Sequence, residues 1–288
     1  MKKDTKHVRA QIINEALGYI YKYIDTNITL DELARLCSVS KYHFHRIFKE
    51  ETGEKLFERI RAIRLQKAAN LLISNRYSTI SEIARLCGYS SHSPFIKAFK
   101  KRFDLTPTQW KNGEYLNYSK KNLTLNEQIN KDFYKLDPLI KVAKKRSCAY
   151  IRHKGYDIRV KKTWQRLMAF AYEEKLASTV QIGVFHDNPV ITPYEDCQYI
   201  AAFEVDRTFI PTNSISKFEI EESVCAVFHY EGVYGDVTKL MVYIYNFWLP
   251  NSGYEAKTLP AYAIYDKNHF LDNNKDFILD FYVPISVV

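Results

Sequence analysis

The sequence predicts a multidomain protein, with an N-terminal all-α tandem helix-turn-helix domain and a C-terminal α+β domain of duplicated β-α-β-β units. Three observations indicate this: a helical motif that occurs twice near the start, a second internal repeat in the other half, and basic charge confined to the first part. A chain of 288 residues also suits two domains better than one. We expect domains at 1–112 and 138–288, joined by a linker at 113–137.

The first repeat consists of residues 30–37 (LDELARLC) and 80–87 (ISEIARLC). In each copy apolar residues recur at i, i+3, i+4 and i+6, which is the pattern of a short amphipathic helix. A short polar turn follows, and Ser40 and Ser91 are predicted to cap a second helix. A short helix, a tight turn and a second helix make a helix-turn-helix unit. The sequence therefore predicts two such units in tandem.

The second helix of each unit has an apolar face and a polar face. At about 100° per residue, the apolar face contains Phe44, Ile47, Phe48, Phe95, Ala98 and Phe99. The residues left to contact DNA are Tyr42, His45, Arg46, Lys49, His92, Ser93, Ile96, Lys97 and Lys100. Arginine can bind guanine, histidine and serine can hydrogen-bond base edges, and tyrosine and isoleucine can contact a thymine methyl group. An ordinary exposed helix face is the alternative, but two units in tandem favour DNA.

Charge and geometry fit double-stranded DNA as the partner. Residues 1–113 hold 21 basic and 11 acidic side chains, whereas the remainder holds 21 and 22. A basic domain beside a neutral one indicates that only the first meets a polyanion. Residues 56–75 lack Gly and Pro and predict a connecting helix roughly 30 Å long, close to the spacing of about 34 Å between successive major grooves. Its basic residues are expected near phosphates: Arg59, Arg61, Arg64 and Lys67.

The remaining composition argues against several classes of protein. The start of the chain does not resemble a signal peptide, and the most apolar window, 240–249, is too short to span a bilayer. The five cysteines show no CxxC spacing, and Cys37, Cys87, Cys148 and Cys225 fall at matching repeat positions. Such cysteines are typical of small core residues rather than disulfide partners or zinc ligands. We expect a cytoplasmic protein with no membrane contact, no cofactor and no metal.

Residues 8–111 resemble the DNA-binding domain of the AraC/XylS family of bacterial regulators. The resemblance rests on LDELA at 30–34, SKYHFHRIFK at 40–49, IARLCGY at 83–89 and FKKRFDLTP at 99–107. It implies seven helices, binding of asymmetric promoter sites, and usually activation, with RNA polymerase as an expected partner. Tyr42, His45 and Arg46 match base-reading positions of the first recognition helix; His92, Ser93, Ile96 and Lys97 match the second. Pro94 is less usual there, but it is tolerated in a first helical turn.

The second half of the chain repeats itself at an offset of 77 residues, so that Cys148 matches Cys225 and Gly155 matches Gly232. Each copy is predicted as a strand, a helix and two strands. The predicted segments are 147–153, 161–175, 181–186 and 199–205 in the first copy, and 224–230, 237–249, 262–266 and 277–283 in the second. Such a duplication has a pseudo-two-fold axis, and the groove between its halves is the natural ligand site.

Residues 138–288 resemble the GyrI-like effector-binding domain. The resemblance rests on HKGY at 153–156, IGVFHDNP at 182–189, FWLP at 247–250, SGYE at 252–255 and DFYVPI at 280–285. It implies a small-molecule pocket lined by aromatic residues, often selective for cationic or lipophilic compounds. The pocket candidates are Tyr150, Trp164, Phe185, Trp248, Tyr262 and Tyr265, with plain hydrophobic core as the alternative for each. Where many members carry a pocket glutamate, this chain has Ala263, so aromatic stacking or cation–π contacts would replace it.

An enzyme is the alternative function. The sequence contains no GxSxG, no phosphate-binding glycine loop and no HExxH. The catalytic candidates in the second domain are His153, His186 and His229 with Glu231, although a strand histidine is more often structural. We therefore expect a transcription regulator, as a monomer or dimer, whose second domain senses a small aromatic or cationic effector. Hydrolysis of a small molecule by that domain is the second hypothesis.

Overall fold

The computed structural model describes residues 3–122, 131–176, 180–212 and 215–288. Its first half contains α1 (Lys3–Lys22), α2 (Leu30–Leu36), α3 (Lys41–Thr52), α4 (Leu56–Ser74), α5 (Ile80–Leu86), α6 (His92–Phe103) and α7 (Pro107–Gln109). The two helix-turn-helix units, α2-α3 and α5-α6, and the connecting helix α4 all lie where the sequence predicts them. In the described part of the chain, no helix is long and apolar enough to cross a membrane.

A capping box fixes the first helix of each helix-turn-helix unit. The hydroxyl of Thr29 accepts a hydrogen bond from the main-chain N–H of Glu32, whose carboxylate accepts one from the N–H of Thr29. Thr79 and Glu82 repeat this arrangement in the second unit. Capping boxes satisfy N–H groups that have no partner at the start of a helix. The T-x-x-E spacing of both boxes is a sequence signal for the start of these helices.

The turns and the second helices are less alike between the units. Ser40 caps α3 by accepting a hydrogen bond from the N–H of His43 at 3.3 Å, whereas Ser91 stands at the cap of α6 without such a bond. Each turn contains a residue in the left-handed region, Ser38 at φ 53° and Gly88 at φ 78°. A Cβ on Gly88 would lie 2.4 Å from a main-chain oxygen, so this turn requires glycine.

The helical half continues beyond residue 112, where the sequence predicts its end. After α7 comes a π-type turn (Trp110–Glu114), in which Gly113 interrupts the helical backbone with φ 103°, and then α8 (Tyr115–Asn122). Part of the predicted linker, residues 123–130, lies outside the described residues. A short 3-10 helix (Lys131–Lys135) precedes the first strand.

The second half is an antiparallel sheet with helices on one face. Its strands are β1 (Leu139–Ala143), β2 (Arg146–Lys154), β3 (Gln181–Phe185), β4 (Gln198–Glu204), β5 (Ser216–Ile220), β6 (Ser223–Val233), β7 (Tyr254–Ala256), β8 (Ala261–Lys267) and β9 (Asp276–Val287). Its helices are α9 (Val160–Glu173), α10 (Asp236–Tyr243), which runs on through a π-type segment (Ile244–Trp248), and α11 (Leu249–Asn251). Among the described residues, the strand order is β1-β6-β9-β8-β3-β4-β2-β5, with β7 beside the end of β9.

The duplication predicted from the sequence is visible in this topology. One copy is β2-α9-β3-β4, the other is β6-α10-β8-β9, and β3 pairs with β8 where the pseudo-two-fold axis passes. The sequence does not predict β1 and β5, which precede the two copies. Each pairs with the other copy, β1 with β6 and β5 with β2. These pairings between the copies join both of them into one sheet.

Strand alternation gives the sheet two distinct faces. One face packs against α9 and α10 and includes Ala149 and Tyr265. The other includes Tyr150, Val184 and Tyr262 and lies opposite α1 of the helical half. All five cysteines are buried and free, as expected of core residues. The second face, on which the described residues place no helix of its own domain, is the one next to the DNA-binding half.

Hydrogen bonds along α4 and just after it join the two halves. Gln66 donates its amide to the hydroxyl of Thr192 at 2.6 Å. Asn75, which follows α4, donates to the carbonyl of Ala256 at 3.0 Å and accepts from its N–H at 2.9 Å. Both side chains are buried, Asn75 almost completely. The helical half is thus docked on the sheet through buried polar contacts as well as apolar ones.

Candidate DNA interface and ligand cavity

The recognition helices α3 and α6 present most of their predicted contact residues to solvent. Tyr42 is 79% exposed. The other exposed candidates are His45, Arg46, Lys49, His92, Ser93, Lys97 and Lys100, while Ile96 is half-buried. The opposite faces are fully buried at Phe44, Phe48, Phe95 and Phe99. Burial thus separates the packing residues from the candidate contact residues, whose contact with DNA stays a prediction.

Local geometry distinguishes the two recognition helices. On α3, Nη2 of Arg46 lies 3.2 Å from Nδ1 of His43, one turn earlier. On α6, Pro94 is the third residue of the helix. An N–H at that position has no partner inside the helix, so proline removes no helical hydrogen bond. The first helical turn tolerates Pro94, as the sequence predicts.

The basic residues of α4 do not form the phosphate-contacting row that the sequence predicts. Arg61 is exposed. Arg64 donates to two main-chain carbonyls of the α1–α2 loop at 3.1 and 2.6 Å, and Lys67 donates to a carbonyl of the C-terminal half. Arg59 is half-buried beside the hydroxyl of Tyr21. The prediction is wrong for these three because α4 packs against both helix-turn-helix units and against the sheet domain.

A cavity of about 300 Å³ lies between α1 and the open face of the sheet. Tyr19 and other residues of α1 form one wall, and Tyr150, Val184 and Tyr262 form the other. Phe218 of β5 closes one side, edge-on to Tyr150 with ring centroids 5.1 Å apart. Its volume falls at the lower end of the range for small-molecule sites, and its walls are mostly apolar and include six tyrosine or phenylalanine rings.

Two of the six aromatic candidates, Tyr150 and Tyr262, line this cavity. The other four pack in the core between the opposite face of the sheet and its helices: Trp164, Phe185, Trp248 and Tyr265. Trp164, for example, donates from Nε1 to the hydroxyl of Tyr199 at 3.2 Å. The prediction that all six share one pocket is therefore wrong. Phe185 and Tyr265 occupy strand positions that point to the helix-packed face, and Trp164 and Trp248 belong to the helical segments that cover it.

Ala263 also lies on the helix-packed face, between Tyr262 and Ile264, which belong to the open face. It faces the same side as its strand neighbour Gly183, where a Cβ would lie 2.4 Å from the hydroxyl of Tyr199. That side of the sheet centre is thus filled by core side chains. The missing carboxylate at Ala263 does not determine which charge the cavity accepts, because Ala263 does not line it.

Charged residues that the sequence does not single out line the cavity instead. At the rim, Lys22 forms an ion pair with Glu221 at 2.5 Å. Deeper, Arg152 of β2 and His186, which follows β3, contact the ring of Tyr21; the His186 ring stacks on it at 3.9 Å. Burial, and then the nearby arginine and lysine cations, lower the pKa of His186 well below its usual range. Its imidazole is therefore neutral at neutral pH.

The three strand histidines proposed for catalysis have separate environments. His153 is hydrogen-bonded to a threonine of α9 at 2.9 Å, and His186 lies at the cavity. His229 is exposed, 2.9 Å from Asp280 and 3.9 Å from Glu231. Across the described ranges, no group of three or more His, Cys, Asp or Glu side chains is arranged to hold a metal ion.

Lys67 at the junction should make stability depend on pH. Burial lowers the pKa of its ammonium group to about 8 from the ordinary 10.5. Between these values Lys67 is neutral in the folded chain but protonated in the unfolded chain. The unfolded state then binds more protons, so this residue's contribution to the free energy of unfolding rises with pH. We expect urea titrations to show the free energy of unfolding of the parent rising relative to Lys67→Met from about pH 8 to 10.5; a constant difference would contradict this.

Two family models match the chain. One, a helix-turn-helix domain, matches residues 33–113, and the other, a GyrI-like small molecule binding domain, matches residues 137–286. Two solved structures are similar at TM-scores below one half. The structure of EcmrR in a DNA complex has a TM-score of 0.46 and 12% sequence identity, and the match covers 90% of this chain and 99% of that one. The C-terminal domain of AraT, a response regulator from Geobacillus stearothermophilus, has a TM-score of 0.34 and 34% sequence identity, and the match covers 35% of this chain and 84% of that one.

Curated relatives match the helical half. The xylose operon regulatory protein of Escherichia coli (strain K12) is 34% identical over 108 residues, 38% of this chain and 27% of that protein. The probable transcription factor PqrA of Proteus vulgaris is 34% identical over 102 residues, 35% of this chain and 83% of that protein. This chain thus spans about a quarter of the xylose regulator but most of PqrA. The chain belongs to the GyrI-like small-molecule binding family and carries an AraC-type helix-turn-helix domain.

Proposed function

We propose that this protein is a transcription regulator that binds promoter DNA through α3 and α6 and a small effector in the cavity beside α1. The observation that carries the proposal is the position of α1, which packs against the first helix-turn-helix unit and also lines the cavity. In this proposal residues 1–112 bind DNA, 113–137 link the domains and 138–288 bind the effector. The protein acts in the cytoplasm, where promoter DNA is, and catalyses no reaction.

Contacts on two sides of α1 support a link between effector and DNA. On one side, Arg9 forms an ion pair with Glu50 of α3 at 2.7 Å. On the other, Asn14 donates its amide to the hydroxyl of Ser216 at 2.9 Å and accepts at its carbonyl from the hydroxyl of Tyr150 at 3.3 Å. An effector that displaces Tyr150 would therefore act on α1 and, through it, on the first recognition helix.

In this proposal α3 is the main sequence reader. Tyr42, His45 and Arg46 are exposed together, and their side chains can contact both base edges and thymine methyl groups. The second helix, α6, offers Lys97 and Lys100 for phosphates and Ser93 and His92 for bases. Because one chain carries both units, a monomer suffices to place two helices on DNA, and activation would require contact with RNA polymerase. An effector released chemically unchanged would agree with this function, whereas its turnover would favour the hydrolase alternative.

Arg46→Ala is expected to weaken binding to a specific promoter site by about 1–3 kcal/mol and to relax preference at the contacted base pair. Arg46 is exposed on α3, so the substitution should leave the fold unchanged. A specific site is first found by genome-wide mapping of bound DNA, and affinity is then measured by fluorescence anisotropy. The control is Lys162→Ala, which removes one exposed charge from α9. Equal affinity of Arg46→Ala and the parent for that site would refute the assignment of α3 as the reader.

A further inference from the structure

We propose that the cavity selects an amphipathic organic anion, whose carboxylate binds Arg152 and whose apolar body packs against the tyrosine-lined walls. The assignment rests on the proposed function, because it takes this cavity as the effector site. It differs from the cationic effector that the family resemblance implies. Four features of the cavity lead to it: the state of Arg152, the charge around it, the position of the acidic residues, and the nature of the walls.

Two hydrogen-bond donors of Arg152 have no acceptor among the described residues, although its guanidinium also interacts with the hydroxyl of Tyr150. Arg152 follows Tyr150 by two residues on β2, so both side chains lie on the cavity face. Its Nε and Nη1 atoms are buried and have no hydrogen-bond partner among the described residues. Its guanidinium carbon lies 5.7 Å from the ring centroid of Tyr21 and 5.8 Å from that of Tyr150. The rings cover the guanidinium but leave two N–H positions without an acceptor.

Buried N–H groups of a guanidinium that have no acceptor are unfavourable in a folded protein, because they have lost water without gaining a hydrogen-bond partner. Cation–π contact with two rings compensates for part of this loss. A carboxylate compensates more fully, since its two oxygens accept parallel hydrogen bonds from a guanidinium. The arrangement is therefore that of a site prepared for an anion that arrives from outside the chain.

The charges around Arg152 favour an anion as well. Arg59 and Lys67 of α4, together with Arg152, are the cations whose field acts on His186. Asp187, the residue next to His186, is a buried carboxylate that accepts a main-chain hydrogen bond at 2.7 Å and interacts with Arg59 and Lys67. Neutral His186 has no partner for either ring nitrogen in the described part of the chain, so it can donate to a ligand oxygen. Of these charged groups Arg152 is the one that lines the cavity, beside neutral His186, so this part of the cavity wall carries a positive charge.

The acidic residues of the cavity lie at its rim. Glu221 is paired with Lys22 at 2.5 Å, and Glu219 with Lys145 at 2.6 Å. Glu15 of α1 has an exposed surface, although partial burial raises the pKa of its carboxyl group, and it is the residue that a cationic ligand would contact. Water and salt screen an exposed carboxylate strongly, but they screen an enclosed guanidinium weakly. The buried end should therefore decide which charge the cavity prefers.

The walls define the rest of the ligand. Tyr19, Phe218, Val184, Ile200 and Tyr262 provide an apolar surface around a volume of about 300 Å³. Such a surface binds an aliphatic or aromatic body by burial of apolar area. A compound with one carboxylate and a compact hydrocarbon portion matches both ends of the cavity.

The test uses three compounds with one skeleton, 4-phenylbutyrate, 4-phenylbutanamide and 4-phenylbutylamine, and isothermal titration calorimetry on the full chain. We expect the acid to bind, and the amide and amine to bind roughly ten-fold more weakly or worse. Arg152→Gln should weaken binding of the acid roughly ten- to hundred-fold without changing binding of the amide. The control Lys162→Gln removes one exposed charge from α9, away from the cavity, and should change binding of the acid by less than about three-fold.

The thermal unfolding of the same variants checks that they fold. Arg152→Gln removes an unpaired buried charge, so the free chain should unfold at the same temperature as the parent or higher. Arg152→Lys keeps the charge but loses the two-pronged geometry, and should bind the acid with intermediate affinity. A loss of thermal stability in Arg152→Gln, with unchanged affinity for the acid, would instead identify Arg152 as a structural residue and overturn the proposal.

The remaining outcomes separate this proposal from the proposed function. Tighter binding of the amine than of the acid, abolished by Glu15→Gln, would overturn the anion assignment but keep the cavity as the effector site. If the parent binds none of the three compounds while it still binds DNA, both the anion assignment and the choice of this cavity fail, whereas the DNA-binding function stands.

Discussion

Trp164→Ala is expected to lower the free energy of unfolding by about 3–5 kcal/mol. Trp164 is completely buried between α9 and the sheet, and its ring meets Tyr265 edge-on at 5.9 Å. Its indole N–H donates to the hydroxyl of Tyr199, so the substitution leaves both a void and a buried hydroxyl with one partner fewer. Urea titration of the full chain, followed by circular dichroism, measures the change.

The matched control comes from the opposite face of the sheet. Tyr262 lines the cavity, and its buried hydroxyl has no hydrogen-bond partner among the described residues. Tyr262→Phe should therefore change the free energy of unfolding by less than about 1 kcal/mol. If Trp164→Ala lowered the free energy of unfolding no more than Tyr262→Phe does, Trp164 would not be a core residue. That result would favour Trp164 as a pocket residue, as the sequence predicts.

The sequence alone partly predicts which aromatic residues lie on which face of the sheet. Tyr262 and Tyr265 are three residues apart on one predicted strand, an odd spacing that places them on opposite faces. Tyr150 and Arg152 are two apart and share a face, which would have added Arg152 to the candidates. The alternation of side chains along a strand does not show which face of the sheet is covered by helices of its own domain and which face lies against α1. That depends on contacts between residues such as Asn14 and Ser216, far apart in the chain.

The helix-turn-helix units were easier to predict because local patterns define them. Caps, turns and buried phenylalanines lie within about twenty residues of each other, and the repeat gives each signal twice. The sequence predicts where the connecting helix begins and ends, but not which parts of the protein surround it. The sequence predicts Arg59, Arg64 and Lys67 near DNA phosphates, yet they contact main-chain carbonyls or Tyr21 at the junction between the halves. Charge alone does not reveal that a second domain covers a helix.

Asn75→Ala is expected to lower the free energy of unfolding by roughly 2–5 kcal/mol, although it removes only a small polar side chain. Asn75 is 1% exposed. Its side-chain oxygen accepts a hydrogen bond from the N–H of Ala256 at 2.9 Å, and its amide nitrogen donates one to the carbonyl of Ala256 at 3.0 Å. Ala256 is itself buried at the start of the segment that leads from β7 to β8. Without the amide, two buried main-chain groups lose their partners, and each such loss costs about 1–3 kcal/mol.

Arg76→Ala is the control for this substitution, since Arg76 is the next residue and is exposed. It should change the free energy of unfolding by about 0.5 kcal/mol or less. An equally small effect of Asn75→Ala would mean that water satisfies the main chain of Ala256 and that this contact does not hold the two halves together. The cavity has one wall on α1 and the other on the sheet, so both proposals require the halves to stay docked. The stability of the Asn75 variant therefore tests one of the contacts on which both proposals depend.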